Sequence, residues 1–426
     1  MSADQLIQRE ILKELRDHLT AKEITLITGP RQAGKTTLMR ILERECRQQG
    51  NGTVFLNLDS QEDARFFVSQ RALIDKLRLE FGSGRGYAFI DEIQRKNDAS
   101  IFLKGIYDQD LPYKLIVSGS GSIELKENVH ESLAGRKLMF EVLPLSFSEL
   151  ANFRTGYRYA DRLADFYVVD RAATAAILEE YLQFGGYPRV VLEDTREQKM
   201  RQIDEIFRSY IERDISALLR VEKLDAFRML VEILASQNSQ ILSYAELSAT
   251  LGLSTETVHN YLWYLEHTFI TRRLTPFFRN KRKEITKAPT VYFTDLGLRN
   301  FALGRFGVPL RPAERGFVFQ NLVYLLLMHA LRHTGTRLYF WRTKDGAEVD
   351  FVLIHREEVI PIEVKYHAPV GKDGSFSVGR SLRACIKRYH PPQAFIMTSD
   401  GHGETMVENT PVHIRPFTDI SLLLFG

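Results

Sequence analysis

The stretch "ITGPRQAGKTTL", residues 27–38, follows the apolar run "EITL" and precedes the helical pattern "MRILEREC". Gly29, Gly34, Lys35 and Thr36 fit the pattern G-x-x-x-x-G-K-[ST] in the strand-loop-helix context that it requires. The glycines let the backbone curl until its N–H groups converge on an anion at a helix N-terminus. Gly29, Pro30, Arg31, Gln32, Ala33, Gly34, Lys35, Thr36 and Thr37 are therefore expected to cradle nucleotide phosphates. Lys35 is expected to neutralise the β and γ phosphates, and the Thr36 hydroxyl to ligate Mg²⁺.

A second run, "YAFIDEIQ" from Tyr87, delivers Asp91 and Glu92 at the end of a buried strand, the edge where open α/β sheets bind ligands. Asp91 is placed to hold Mg²⁺ through water, and Glu92 to orient or polarise an attacking water, which adds hydrolysis to binding. A third run, "YKLIVSGSGS", ends at the same level. Ser118 or Ser120 is positioned there either to sense the γ phosphate or to make an ordinary turn. No N-K-x-D tetrapeptide reads guanine, so the nucleotide is expected to be ATP.

These runs, with "TVFLNL" and "KLMFEVLPL", alternate with helical patterns up to about Leu145. Alternation of this kind predicts a parallel, doubly wound sheet. The fold class expected is thus α/β. Its parts are a phosphate-loop core over 1–145, a helical lid and connecting helices over 146–226, a winged helix-turn-helix over 227–305 and an α/β unit over 306–426. A length of 426 residues suits about three domains.

Composition is that of a soluble protein, 44% hydrophobic and 26% charged, with a formal net charge of only +3, so any basic surface must be local. Cys46 and Cys385 stand far apart without metal-like spacing, and the charged N-terminal stretch lacks an apolar signal core; both suit a cytoplasmic location. The longest apolar stretch is too short for a membrane span.

In the third segment, "YAELSATLG" and "TETVHNYLWYLEHTFI" read as helix, turn and helix. Gly252 ends the first helix and Ser254 caps the second. Thr255, Thr257, His259 and Asn260 lead the second helix, the position that can enter a major groove. A hairpin wing follows, whose tip carries Arg279, Lys281, Arg282, Lys283 and Lys287, the residue type that phosphate-backbone contact uses. The same helix-turn-helix also serves packing or protein contact in other proteins, because a fold does not set its function.

Near the C-terminus, "EVDFVLI" and "VIPIEVK" flank the turn "HREE" and predict a hairpin. Asp350, Glu363 and Lys365 then lie close across two strands, a D…E-x-K set that resembles restriction-endonuclease-like folds, where the acids hold a second Mg²⁺ and the lysine helps the attacking water. Together, "GPRQAGKTTL", "FIDEIQ", "SGSGS", "SLAGR", "PLSFSEL", "GGYP", "YIERD", "VYFTDLGLRN" and "EVDFV…IEVK" resemble the AAA+ ATPases of bacteria and archaea that carry a winged-helix segment and a PD-(D/E)XK nuclease-like C-terminal domain of unknown function. The resemblance implies that Arg136 is an arginine finger completing a neighbouring subunit's site in a ring, a hexamer by analogy. The alternative for Arg136 is a local carboxylate pair. It also implies a glutamate in the helix opening the nuclease-like domain, where this chain has Gln320, an amide that brings no charge to a metal. The function expected is an ATP-driven motor acting on duplex or branched DNA with a C-terminal domain that does not cut. An ATP-dependent nuclease, or a nucleotide-dependent protein scaffold without DNA, are the alternatives.

Overall fold

A computed structural model describes residues 6–120, 133–212, 215, 223–278, 288–371 and 374–424. The chain divides into two compact units: residues 1–145, 187–224 and 260–270 form one, and residues 146–186, 225–259 and 271–426 the other. The segments read from the sequence are therefore interleaved between the units.

The first unit is built on five parallel strands, β1 (Ile24–Gly29), β2 (Gly52–Asn57), β3 (Gly86–Asp91), β4 (Tyr113–Ser120) and β5 (Lys137–Glu141), in the order β2-β3-β4-β1-β5. Both faces are apolar because alternate side chains point to opposite sides. Ile27, Phe89, Ile116 and Phe140 meet Leu38, Met39 and Leu42 of the helix Lys35–Gln48. Leu26, Ala88, Leu115 and Val117 meet Leu73, Leu77, Leu103 and Ile106 on the opposite face. Insertion of β4 between β1 and β3 sets Ile27 beside Ser118 and Ile90 beside Val117, which brings three strand ends to one edge.

In the second unit the strands β6 (Thr271–Leu274) and β7 (Thr290–Phe293) pair antiparallel. Six more, β8 (Arg337–Arg342), β9 (Glu348–His355), β10 (Glu358–Val364), β11 (Ala394–Thr398), β12 (Gly403–Val407) and β13 (Thr410–Pro416), form a mixed sheet in the order β12-β13-β11-β10-β9-β8. The hairpin read around "HREE" is β9–β10, paired from Glu358 with His355 to Ile362 with Phe351. The helix Arg380–Tyr389 packs Leu382, Cys385 and Ile386 against this sheet.

A buried polar latch ties two distant motifs in this unit. Asp295 caps the helix Leu296–Ala302 by accepting from Leu298 N at 2.7 Å and accepts from Gly186 N at the same distance. Asn300 donates to the carbonyls of Leu182 at 2.8 Å and Gln183 at 3.1 Å. A Cβ at Gly297 would run into the Phe184 carbonyl, so glycine is what allows the approach. "GGYP" and "VYFTDLGLRN" are the two halves of one internal joint.

The helix Tyr244–Leu251 ends at Gly252 with a φ of 61°, and Ser254 Oγ accepts from Thr257 N at 3.0 Å at the start of the helix Thr255–His267. No helix among the described residues is long and apolar enough to cross a membrane. Cys46 and Cys385 are both buried thiols.

Candidate active site

The phosphate loop lies at the carboxyl edge of the first sheet. Gly29 turns with a φ of 151°, and a Cβ there would run into the Val142 carbonyl; Gly34 takes a φ of 100° where the following helix begins. Both glycines are thus dictated by the backbone path. The buried Lys35 ammonium donates to the carbonyls of Gly29 at 3.0 Å and Pro30 at 2.7 Å, so the lysine lies folded over its own loop. Thr36 Oγ1 donates to Asp91 Oδ2 at 2.7 Å. A hydroxyl and a buried carboxylate meeting at one point form the hard-oxygen pair that suits Mg²⁺, which would neutralise phosphate charge there. Ser118 Oγ donates to the other oxygen of Asp91 and so helps to orient that carboxylate. Ser120 ends β4 beside Gly29 in register; its side chain lies outside the described residues.

Glu92 leaves β3 in the left-handed conformation, φ 60° and ψ 39°, which non-glycine residues seldom adopt. It lines the same cavity as Arg31, Lys35 and Thr36, and the Gln94 amide donates to its carboxylate. Burial raises the Glu92 pKa above the ordinary carboxylate value, against the charges of Lys35 and Arg31, which lower it. A carboxyl raised in this way is suited to take a proton.

The cavity encloses about 890 Å³, within the range of small-molecule sites. Leu6, Ile7, Leu38, Ile41, Pro188 and Leu192 supply apolar wall, and Arg189, Arg201, Asp204, Glu205 and Arg208 supply a charged one. Of the 146–226 segment read as a lid, the described residues that line the cavity fall between Pro188 and Glu212, within the stretch 187–224 that groups with the phosphate-loop unit. Arg9, which nothing in the sequence singled out, donates to Ala33 O at 2.8 Å and Leu143 O at 2.6 Å and clamps the loop from outside. Its link to the loop spans 24 positions and forms only in three dimensions.

Arg136 stands at the amino end of β5, beside Ile24, whose N–H donates to its carbonyl at 2.9 Å. Since β1 is six residues long, roughly 20 Å of strand separates this edge from the phosphate loop. Arg136 therefore does not serve its own chain's site. Its Nε donates to Asp108 Oδ1 at 2.7 Å, the local carboxylate pair weighed from the sequence.

Within the second unit, Asp350, Glu363 and Lys365 do come together. Asp350 Oδ2 accepts from Val364 N at 2.7 Å, and Lys365 Nζ lies 2.8 Å from Glu363 Oε1. Glu363 Oε2 is buried without a hydrogen-bond partner. Gln320, at the position where the family resemblance implies a glutamate, donates from Nε2 to the Tyr292 hydroxyl at 3.2 Å. Among the described residues no group of three or more His, Cys, Asp or Glu side chains could hold a metal ion, so the acidic set here stops at a pair.

Burial pushes the Asp350 carboxyl up to about 7, helped by the Glu363 charge and opposed by the Val364 N–H. The raised value makes its contribution to stability full below the ordinary carboxylate range and lost as pH climbs through about 7. Asp350→Asn is expected to melt with the native protein at about pH 3.5, below the ordinary carboxylate range, and about 3 °C above it at pH 8, an effect of about 1 kcal/mol once partial solvent screening is allowed for. Thermal melts at the two pH values check this.

Of the helix-turn-helix residues, Thr255 and Asn260 are exposed, whereas Thr257 Oγ1 pairs with Ser254 Oγ at 2.8 Å and is half occupied by capping. The His259 ring stacks on Tyr244 with centroids 4.1 Å apart. The basic tip, Arg279, Lys281, Arg282, Lys283 and Lys287, lies outside the described residues.

Three family models match along the chain: an AAA domain over residues 21–151, and domains of unknown function over 175–308 (DUF8612) and 315–411 (DUF4143). An uncharacterised protein of Mycobacterium tuberculosis is 28% identical over 387 residues, covering 89% of this chain and 77% of its own. One from Methanocaldococcus jannaschii is 24% identical over 363 residues, 83% of this chain and 77% of its own. Among solved structures, the AMPPCP-bound DnaA of Aquifex aeolicus aligns at 15% identity over 60% of this chain and 86% of that one, with a TM-score of 0.26. DnaA bound to AMPPCP and single-stranded DNA aligns at 15% over 62% and 90%, with a TM-score of 0.27. The AAA match over 21–151 coincides with the five-stranded sheet and its loop, and it supports a nucleotide-hydrolysing P-loop core.

Proposed function

We propose that this P-loop core hydrolyses ATP, and that the chain uses the cycle to bind, remodel or move duplex or branched DNA as a ring oligomer. The observation that carries the first part is the convergence of Lys35, Thr36, Asp91, Glu92 and Ser118 at one sheet edge beside a nucleotide-sized cavity. When ATP enters, its phosphates offer Lys35 better acceptors than the Gly29 and Pro30 carbonyls, because charge-assisted bonds are the stronger ones. Thr36 and Asp91 hold Mg²⁺, which supplies charge neutralisation on the phosphates. Glu92 takes the proton of the attacking water. The apolar wall suits a purine base, and with no guanine-reading tetrapeptide the base is adenine.

DNA as partner is supported by the helix, turn and helix at 244–267, the β6–β7 ladder, and five basic residues at 279–287 between those strands. The ring rests on Arg136, which is too far from its own phosphate loop to act there and would reach a neighbour's in a head-to-tail assembly. The C-terminal sheet serves as a binding or assembly element, because the Gln320 amide brings no charge to the Asp350 and Glu363 pair.

Steady-state ATP turnover alone and with single-stranded, duplex and four-way-branched DNA tests this reading. Stimulation by one DNA form is expected. If five phosphates are neutralised, duplex affinity falls by roughly 10²- to 10³-fold between 50 and 200 mM salt. Turnover indifferent to every nucleic acid points instead to a protein-directed scaffold. A second reading, an ATP-dependent nuclease, draws on the proximity of Asp350, Glu363 and Lys365; it requires cleavage that Asp350→Ala abolishes.

A further inference from the structure

We infer that the Arg31 guanidinium, from within the phosphate loop itself, stabilises the transferring γ phosphoryl, so that each subunit carries a transition-state cation of its own besides any that a neighbour lends. The inference rests on the ATPase reading above. Arg31 is the second residue after Gly29, half-buried, and lines the same cavity as Lys35, Thr36 and Glu92.

The other cations near the site come from outside the loop. Arg9 is bound to two backbone carbonyls. Arg189 lies 3.6 Å from Glu205, and Arg208 Nε 3.0 Å from Asp204 Oδ1, both on the charged wall. Arg136 is at the far edge of the sheet beside Asp108. Arg201 also lines the cavity, from the same charged wall, so among the described arginines that line it only Arg31 belongs to the phosphate loop itself.

In the step concerned, the water oxygen bonds to the γ phosphorus as the bond from that phosphorus to the β–γ bridging oxygen breaks. The bridging oxygen leaves on ADP with the electron pair, and the water proton passes to Glu92. Negative charge gathers on the γ oxygens and the bridging oxygen, and a planar guanidinium meets two such oxygens at once where a lysine meets one. A dipole or charge already in place costs no reorganisation during the reaction.

The test compares the native protein with Arg31→Ala and Arg31→Lys for ATP affinity, kcat, and retention of ADP with aluminium fluoride, a mimic of the transferring phosphoryl. Arg31→Ala is expected to bind ATP within about 3-fold of native, to lose roughly 10²-fold in kcat, and to release the aluminium fluoride complex. Arg31→Lys recovers part of kcat. Native kcat and native retention in Arg31→Ala overturn the inference and leave the ATPase reading standing. Equal losses of ATP affinity and kcat, or a lowered melting temperature that Arg31→Lys restores with activity, make Arg31 a loop brace and also overturn it. A native protein that neither turns over ATP nor retains the complex sinks both.

Discussion

Glu92→Gln is expected to bind ATP within about 3-fold of the native protein and to hydrolyse it roughly 10²- to 10⁴-fold more slowly, the range that a positioned general base contributes. The substitution keeps the shape and the hydrogen-bonding reach of the side chain, and the left-handed backbone at residue 92 still aims it into the cavity. What it removes is the ability to accept a proton. Single-turnover hydrolysis together with equilibrium ATP binding checks both halves of the expectation. A variant that turns over at the native rate would remove Glu92 from the mechanism.

Lys35→Ala is expected to weaken ATP binding by roughly 100-fold, about 3 kcal/mol, the scale of a charge-assisted bond lost from a partly desolvated site. Its cost to folding is small, because the Gly29 and Pro30 carbonyls that lose the ammonium sit beside an open cavity where water replaces it. Titration with a fluorescent ATP analogue, paired with a thermal melt, separates the two effects. Native affinity in a folded variant would show that the loop does not hold the phosphates. The pair of substitutions is informative together: one leaves a protein that binds and stalls, the other a protein that does not bind.

Local pattern made the geometry of the candidate site readable in advance. The loop residues 29–37 and the Asp91–Glu92 step are contiguous, and each needs only its own strand and helix to be placed. The five parallel strands were equally plain, because runs such as "ITLITG" are buried on both faces and bounded by glycine or polar residues. β12 and β13 were not legible: "GETMV" alternates exposed and half-buried residues, and its pairing with 410–416 depends on a sheet assembled from elsewhere. Arg9 on the loop, Asp108 on Arg136 and Gln320 on Tyr292 were invisible for a common reason. Each is a side-chain contact between positions at least 24 apart, set by packing and not by spacing. Gln94 on Glu92 is close in sequence, yet it depends on the left-handed turn at Glu92, which no residue type there announces.

The Asp295 latch also sets a timetable for synthesis. Gly186 leaves the ribosome 109 residues before the carboxylate that accepts its N–H. At about 5–20 residues per second, that is a wait of roughly 5 to 20 s, during which the helix Arg171–Phe184 has its apolar face, Ile177, Leu178, Tyr181 and Leu182, without the partner segment that Asn300 later anchors. Nascent chains halted before residue 295 should therefore be sticky and protease-sensitive in this region, and should become resistant once Asn300 has emerged from the ribosome.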